Sequence, residues 1–256
     1  MPEFCNVTTE GHVLTVKINR PERMNAVHPP ANFELSDIFD DFARDDNLWV
    51  AVITGEGKAF CAGNDLRYQA EHGGIEIPSN GFGGLTSRFD LLKPVIAAVN
   101  GVAMGGGFEI ALACDLIVAS ENAIFALPEP KVGLAALAGG MQRLPRQIGV
   151  KRALGMILTG RHVTAAEGKE LGFVNEVFKH DELVEGTQRW VEMILECAPL
   201  SIQASKDVVY RSLSMSSLEE SMNESYDSVG RLMFSEDFVE GPRAFAEKRR
   251  PNWKGK

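Results

Sequence analysis

The chain has 256 residues, 45% hydrophobic and 24% charged, which suits a globular protein able to bury a sizeable core and excludes disordered and fibrous classes. Its net charge of −9 argues against non-specific binding to nucleic acid or to an anionic membrane. No apolar run approaches the roughly 18 residues of a transmembrane helix.

Val13, Leu14, Val16 and Ile18 alternate loosely with polar residues and predict a strand that Arg20-Pro21 ends. Leu35, Ile38, Phe39 and Phe42 then recur at helical spacing, with Asp37, Asp40, Asp41 and Asp45 on the opposite face. Leu48 to Thr54, closed by Gly55, reads as a buried strand, and Pro94 to Val99, closed by Asn100-Gly101, repeats that design. Asp115 to Ala119 is a third candidate. This rhythm predicts an α/β domain with parallel strands. Beyond about residue 145 helices dominate. Thr164-Ala-Ala-Glu167 and Ser216-Ser-Leu-Glu219 read as capping boxes, Leu183 to Leu195 carries a helical apolar stripe, and Pro199 opens a further helix.

Glycine is unevenly placed. Nine of the 25 glycines lie in residues 73–84 and 101–107. The first cluster reads as a mobile loop. The second lacks the Gly-x-Gly-x-x-Gly spacing of a dinucleotide site, and no phosphate-binding loop, nucleophile elbow or His-Glu-x-x-His is present. The five histidines are scattered. Cys5, Cys61, Cys114 and Cys197 are widely spaced, which predicts reduced thiols in a cytoplasmic protein and no zinc site. The N-terminus shows no basic segment ahead of an apolar one, so no secretory signal is expected. Residues 242–256 carry a local charge of +5, so the remainder sums to −14. That basic end suits either plain solvation or a small anionic ligand.

Two segments carry candidate chemistry. Lys58 to Leu66 ends a strand in small residues, Ala62-Gly63, before a helix from Asp65. Ala97 to Glu109 turns from a buried strand through Gly105-Gly106-Gly107 into a helix. Glycines at a helix start expose peptide N–H groups at the positive end of the helix dipole, so two such segments can converge on one oxygen as an oxyanion hole. Tight strand-to-helix corners are the plainer reading of either alone. Acid placement tips the balance. Glu109 lies in the first turn of an otherwise apolar helix, and Glu129 sits between Pro128 and Pro130 after an apolar run. Two carboxylates in apolar surroundings either pair across a site and handle a water as general acid and base, or each serves a structural bond.

With these residues in hand, the chain resembles the enoyl-CoA hydratase/isomerase (crotonase) family over essentially its whole length. The resemblance rests on Asn19-Arg20-Pro21 through Asn25-Ala26, Ala59-Phe-Cys-Ala-Gly-Asn-Asp-Leu66, Lys93-Pro-Val-Ile-Ala-Ala-Val-Asn-Gly101 and Gly105-Gly-Gly-Phe-Glu109. It continues through Pro128-Glu129, Gly139-Gly-Met-Gln-Arg-Leu144 and Phe245-Ala-Glu-Lys-Arg249. Gly81 to Thr86 and the stretch from Ser235 to Gly255 most resemble the carnitinyl-CoA dehydratase branch.

The resemblance implies a spiral of β-β-α turns over residues 1–195. A helical C-terminal region, 196–256, would build a homotrimer or a dimer of trimers. It implies that the Ala62 and Gly106 N–H groups hold a thioester oxygen. Asn25, Ala26, Ala62, Gly63, Asn64, Asp65 and Leu66 would line the path of an acyl-CoA substrate. Glu109 would activate water and Glu129 would exchange a proton with the α-carbon. Hydration or dehydration of an unsaturated acyl-CoA is the implied reaction, with isomerisation, thioester hydrolysis or non-catalytic acyl-CoA binding as alternatives. No cofactor and no metal is implied, since coenzyme A belongs to the substrate. Lys248, Arg249 and Arg250 become candidates for its phosphates.

The chain departs from the family at Ala136 and Leu137, and the bulk of Leu137 is expected to reshape the acyl pocket beside Glu129. A carnitine-like trimethylammonium would need an aromatic or acidic neighbour, for which Tyr68, Glu71, Glu76, Phe82 and Phe89 are candidates.

Overall fold

The computed structural model describes residues 2–74 and 76–256. In chain order the elements begin with β1 (Cys5–Glu10), β2 (Val13–Ile18), α1 (Pro29–Arg44), β3 (Val50–Gly55), β4 (Ala59–Cys61) and α2 (Leu66–His72). Next come β5 (Val95–Val99), β6 (Val102–Met104), α3 (Gly106–Ala113), β7 (Leu116–Ser120), β8 (Ile124–Ala126), α4 (Gly140–Ile148) and α5 (Val150–Ile157). The last third holds β9 (Val163–Thr164), α6 (Ala165–Leu171), β10 (Glu176–Phe178), α7 (Leu183–Leu195), α8 (Pro199–Ser212), α9 (Leu218–Asn223), α10 (Asp227–Met233) and α11 (Glu236–Ala246). No helix among the described residues is long and apolar enough to cross a membrane.

Two sheets divide the strands. The larger has the order β1-β2-β3-β5-β7-β10, parallel except for the β1–β2 hairpin. The smaller has the order β4-β6-β8-β9, parallel except at β8–β9. The chain therefore alternates a long strand in one sheet with a short strand in the other before each crossover. This is the spiral of β-β-α turns that the family resemblance implies. The strand of residues 97–99 does not run directly into the glycine turn, as the sequence suggested. Val102–Met104 intervenes as β6, paired with β4 and β8.

The central strands are apolar throughout because both faces are covered. In β3, Ala51 and Ile53 join the main core with Phe39, Phe42 and Phe60. Val50 and Val52 face the opposite side, where Ile96, Val118, Leu183 and Val191 form a second cluster under α7. On α1 the predicted apolar face is the buried one, with Leu35, Phe39 and Phe42 at 0–1% exposure.

Thr164 caps α6 by accepting from the Glu167 N–H, and Pro199 opens α8, both as predicted. The second capping box is displaced by one residue. Ser217 accepts from the Glu220 N–H, and Glu220 returns the bond to the Ser216 N–H at 3.0 Å.

Two asparagines fasten the corners of the spiral. Asn100 accepts from the Gly55 N–H and donates to the Gly57 carbonyl. Asn25, fully buried and at φ +56°, accepts from the Arg20 N–H at 2.9 Å and donates to the carbonyls of Glu56 (2.9 Å) and Ala59 (2.7 Å). Its side-chain amide is thus committed to framework bonds.

The segment after α2 also differs from expectation. Residues 81–86 form a fixed wall. Phe82, Gly83 and Gly84 are buried, the Gly83 N–H donates to Asn32 Oδ1 at 2.7 Å, and Asn80 donates to Asp40 at 2.9 Å. Ile75, within the glycine-rich stretch read as mobile, lies outside the described residues.

The C-terminal end is folded back as well. Asp237 accepts from the N–H groups of Lys254 and Gly255, and Trp253 donates to the Glu196 carbonyl. Arg249 is neutralised by Glu240, bound through both oxygens at 2.6 and 2.9 Å, which also holds the Glu240 carboxyl at about 2. Arg249 is therefore not a free cation for a phosphate.

Replacing Asn25 by Ala leaves the Arg20 N–H and the Glu56 carbonyl without their partner and the Ala59 carbonyl with only Asn100 at 3.3 Å, a change worth about 3 kcal/mol. Thermal denaturation of N25A is expected to show Tm lowered by roughly 6–12 °C. A fall of less than about 2 °C would contradict the framework role.

Candidate active site

The site is built where the segment 61–65 crosses the N-terminus of α3. After β6 the chain turns at Gly105, with φ +53°, and its N–H donates to the Ala126 carbonyl of β8. Helix α3 starts at Gly106, whose N–H has no partner among the described residues. The crossing is close. A Cβ placed on Gly63 would lie 2.7 Å from the Met104 carbonyl oxygen and 3.1 Å from the Gly106 nitrogen.

Ala62 and Gly106 were the expected pair of oxyanion donors, and their N–H groups stand differently. The Ala62 N–H donates to the Met24 carbonyl at 3.0 Å and is committed to that bond. Val27 donates to the Gly63 carbonyl at 2.8 Å and accepts from the Asp65 N–H at 3.1 Å, forming an isolated parallel bridge with Asn64 between them. In a parallel bridge the residue between the two bonded groups directs its own N–H to the other side. The Asn64 N–H accordingly has no partner among the described residues, whereas Ala62, Gly63 and Asp65 all have one.

Glu109, in the first turn of α3, is 3% exposed. Its Oε1 accepts from the Gly140 N–H at 2.8 Å, and a Cβ on Gly140 would come within 3.0 Å of that oxygen. Helix α4 has no side-chain cap at Gly139, so the Glu109 carboxylate supplies the acceptor that a capping side chain ordinarily gives. Burial pushes the Glu109 carboxyl up to about 7 and the charge of Glu129 adds to the rise. The N–H groups of Gly140 and Ala138 and the Arg143 guanidinium act in the opposite direction.

Glu129 opens a short 3₁₀ turn after Pro128. Its Oε1 lies 3.0 Å from the place a Cβ would take on Gly105, so any larger residue there would displace it. Its Oε2 is buried with no hydrogen-bond partner among the described residues, and burial raises this carboxyl too. The glycine turn at the head of α3 thus brings the two acids into one neighbourhood. One is anchored by a peptide N–H and the other has a free oxygen.

The remaining sequence candidates divide. Asp65 is 6% exposed, caps α2 through the Tyr68 N–H at 3.1 Å and pairs with Arg20 at 3.1 Å. Burial alone would raise the Asp65 carboxyl, but the Tyr68 N–H and the Arg20 guanidinium outweigh it and hold it below the usual range. The Asn64 side chain donates to Gln69 at 2.7 Å, the Ala26 carbonyl accepts from Arg20, and Leu66 is 46% exposed. Side chains of Asn25, Asn64 and Asp65 therefore shape the crossing, and its backbone faces the site.

Phe82 is the one aromatic of the sequence list at the glycine turn, where a Cβ on Gly106 would strike its ring at 2.5 Å. Tyr68 instead stacks on His72, Glu71 and Glu76 are exposed, and Phe89 lies under the Arg143 guanidinium. Leu137, expected beside Glu129, is 80% exposed; it is Ala136, 2% exposed, that touches the Gly140–Glu109 contact. Gly140 and Arg143 were visible in the sequence only as motif residues, because their roles depend on how α4 meets α3. Among the described residues no cluster of three His, Cys, Asp or Glu is placed to hold a metal ion.

The sequence profile of the enoyl-CoA hydratase/isomerase family matches residues 8–256. Carnitinyl-CoA dehydratases of Proteus mirabilis and Escherichia coli are 42% and 43% identical to the chain, with both chains covered in full. Among solved structures, an enoyl-CoA hydratase from Mycobacterium tuberculosis is similar with a TM-score of 0.93 and 37% identity over 99% of each chain. A probable enoyl-CoA hydratase/isomerase from Mycobacterium abscessus is similar with a TM-score of 0.92 and 36% identity over 100% of each. Profile, full-length identity and superposition agree with the two acids at the head of α3: the chain belongs to the enoyl-CoA hydratase/isomerase family.

Proposed function

We propose that the chain reversibly adds water across the double bond of an α,β-unsaturated acyl-CoA. The observation that carries this reading is the pairing of two carboxyls raised by burial, Glu109 and Glu129, with the unpartnered peptide N–H groups of Asn64 and Gly106 where the segment 61–65 crosses the head of α3. The Asn64 and Gly106 N–H groups hold the thioester oxygen, aided by the dipole of α3. Charge develops on that oxygen as water attacks the β-carbon, and one such donor is worth about 2.7–4 kcal/mol of barrier in other enzymes.

Glu109, ionised, accepts a proton from the attacking water. Glu129, protonated, delivers one from its free oxygen to the α-carbon. In the dehydrating direction Glu129 removes the α-proton and Glu109 protonates the departing hydroxyl. Burial raises both carboxyls and the charge of Glu129 raises Glu109 further, which suits a pair that exchanges protons with water and the α-carbon.

Isomerisation or thioester hydrolysis is the second reading, and retention of both acids favours hydration over it. The relatives named above make a carnitine-derived ester the first acyl group to test, with Phe82 the aromatic surface next to the glycine turn. Coenzyme A enters as part of the substrate, and the reading assigns no cofactor. The four free thiols suit a cytoplasmic setting. The C-terminal helices expose Leu218, Met222, Phe234, Val239 and Phe245 at 67–93%, an apolar surface that supports self-association as a homotrimer or a dimer of trimers.

Loss of the conjugated enoyl-thioester absorbance with crotonyl-CoA and crotonobetainyl-CoA tests the reaction, and product mass separates hydration from isomerisation. E109Q and E129Q are each expected to lower kcat by about 10²–10⁴ with KM little changed. Undiminished turnover in both would overturn the mechanism. In the wild type, hydration should fall as pH drops through about 7, because Glu109 then becomes protonated. Light scattering should give three or six times the 28.0 kDa chain mass. A monomer at micromolar concentration would contradict the assembly.

A further inference from the structure

Arg143 lies one turn into α4, and its guanidinium folds back over the start of the same helix. Its Nη1 occupies the space a side chain on Gly139 would fill, only 2.1 Å from where a Cβ would sit, so glycine at 139 admits it. Its Nη2 donates to the Thr86 carbonyl at 2.9 Å, and the guanidinium carbon is 5.8 Å from the centre of the Phe89 ring. The cation thus bridges the wall of residues 81–86 and the peptide whose next N–H, that of Gly140, grips Glu109.

Among the described residues no carboxylate forms an ion pair with Arg143, although other cations on this side of the fold have one. Lys206 pairs with Asp115 at 2.7 Å, and Arg88 pairs with Asp40 and Asp90. A half-buried guanidinium without a counter-ion is costly unless a nearby anion answers it, and an arginine does not lose its proton to escape.

We propose that Arg143 is a positioning residue for Glu109: held between the Thr86 carbonyl and the Gly139 turn, it fixes the peptide whose N–H binds the Glu109 carboxylate and sets a positive charge on that side of the contact. The charges that meet there come from several elements. Glu129 acts on Glu109 from the turn after β8 and opposes Arg143, while the Ala138 and Gly140 N–H groups act with it. Arg143 in turn is faced by Tyr210 of α8 and by Cys114 at the end of α3. Tyr210 and Cys114 are both held protonated by burial, so neither supplies the missing negative charge. Asp115, which lines the same cavity, is paired with Lys206, and Glu109 is the carboxyl on which the guanidinium acts.

The proposal rests on the hydratase reading only for its rate measurement. The test is the pH profile of kcat/KM for wild type, R143Q, R143M and R143K, beside direct titration of the Glu109 carboxyl by ¹³C NMR with E109Q identifying its signal. Removing the charge should move the acid limb and the NMR titration of Glu109 upward by about one pH unit, a tenfold change in ionisation. Activity lost below neutrality should return at higher pH. R143K, which keeps the charge, should leave both near their wild-type positions. Either neutral variant carries the test if the other does not fold.

A rate loss equal at every pH, with the Glu109 titration unmoved, would show a merely structural arginine and overturn the proposal. An upward NMR shift in a protein that hydrates no enoyl ester would leave Arg143 in its role and count against the hydratase reading instead.

Discussion

Val27 donates to the carbonyl of Gly63 and accepts from the N–H of Asp65, and these two bonds decide what the site can do. They turn the peptide between them so that the Asn64 N–H faces away from residues 24–27, on a segment that crosses the head of α3, where the Gly106 N–H is also unpartnered among the described residues. The surrounding structure keeps that bridge in register. Asn25 ties residues 20–25 to the turn after β3. Arg20 binds the Ala26 carbonyl and pairs with the buried Asp65, which also caps α2. A buried ion pair such as Arg20–Asp65 adds little net stability, but losing one partner would strand the other. Its value here is in fixing where a peptide N–H points.

The same helix end organises the acids. Glu109 is carried one turn into α3 and meets the uncapped start of α4, so two helix N-termini share one neighbourhood and a carboxylate satisfies one of them. Glu129 reaches that neighbourhood from β8, the strand beside β6 in the small sheet. The short strands that the spiral inserts before each crossover therefore set the geometry. β6 delivers the glycine turn, β8 delivers the second acid, and β4 delivers the segment that crosses above them. Burial raises both carboxyls, the charge of Glu129 raises Glu109 further, and the peptide N–H groups of Gly140 and Ala138 act on Glu109 in the opposite direction.

What could be read from the sequence follows from how local each signal is. The α1 stripe, the doubly buried strands β3 and β5 and the Thr164 cap need only neighbours in the chain to declare themselves. Strands β4, β6 and β8 have three residues each, too few for a period, and β1 is a polar edge. The two acids were legible because a carboxylate beside apolar residues such as Ile110 and Leu112 needs a reason. That the Ala62 N–H is bonded while that of Asn64 is not was not legible, because it depends on a partner segment some forty residues earlier. For the same reason Arg143 was only a motif residue and Arg249 looked like a free cation until Glu240 was seen beside it.

The central claim is that two peptide N–H groups, those of Asn64 and Gly106, polarise a thioester carbonyl. The most direct measurement is the infrared carbonyl stretch of an enoyl-CoA carrying ¹³C at the thioester carbon, bound to the E109Q/E129Q protein so that it is not consumed. The account predicts a stretch well below its position in water, with a red-shifted enoyl absorbance. A bound ester whose carbonyl stretch stays at its solution value would contradict it.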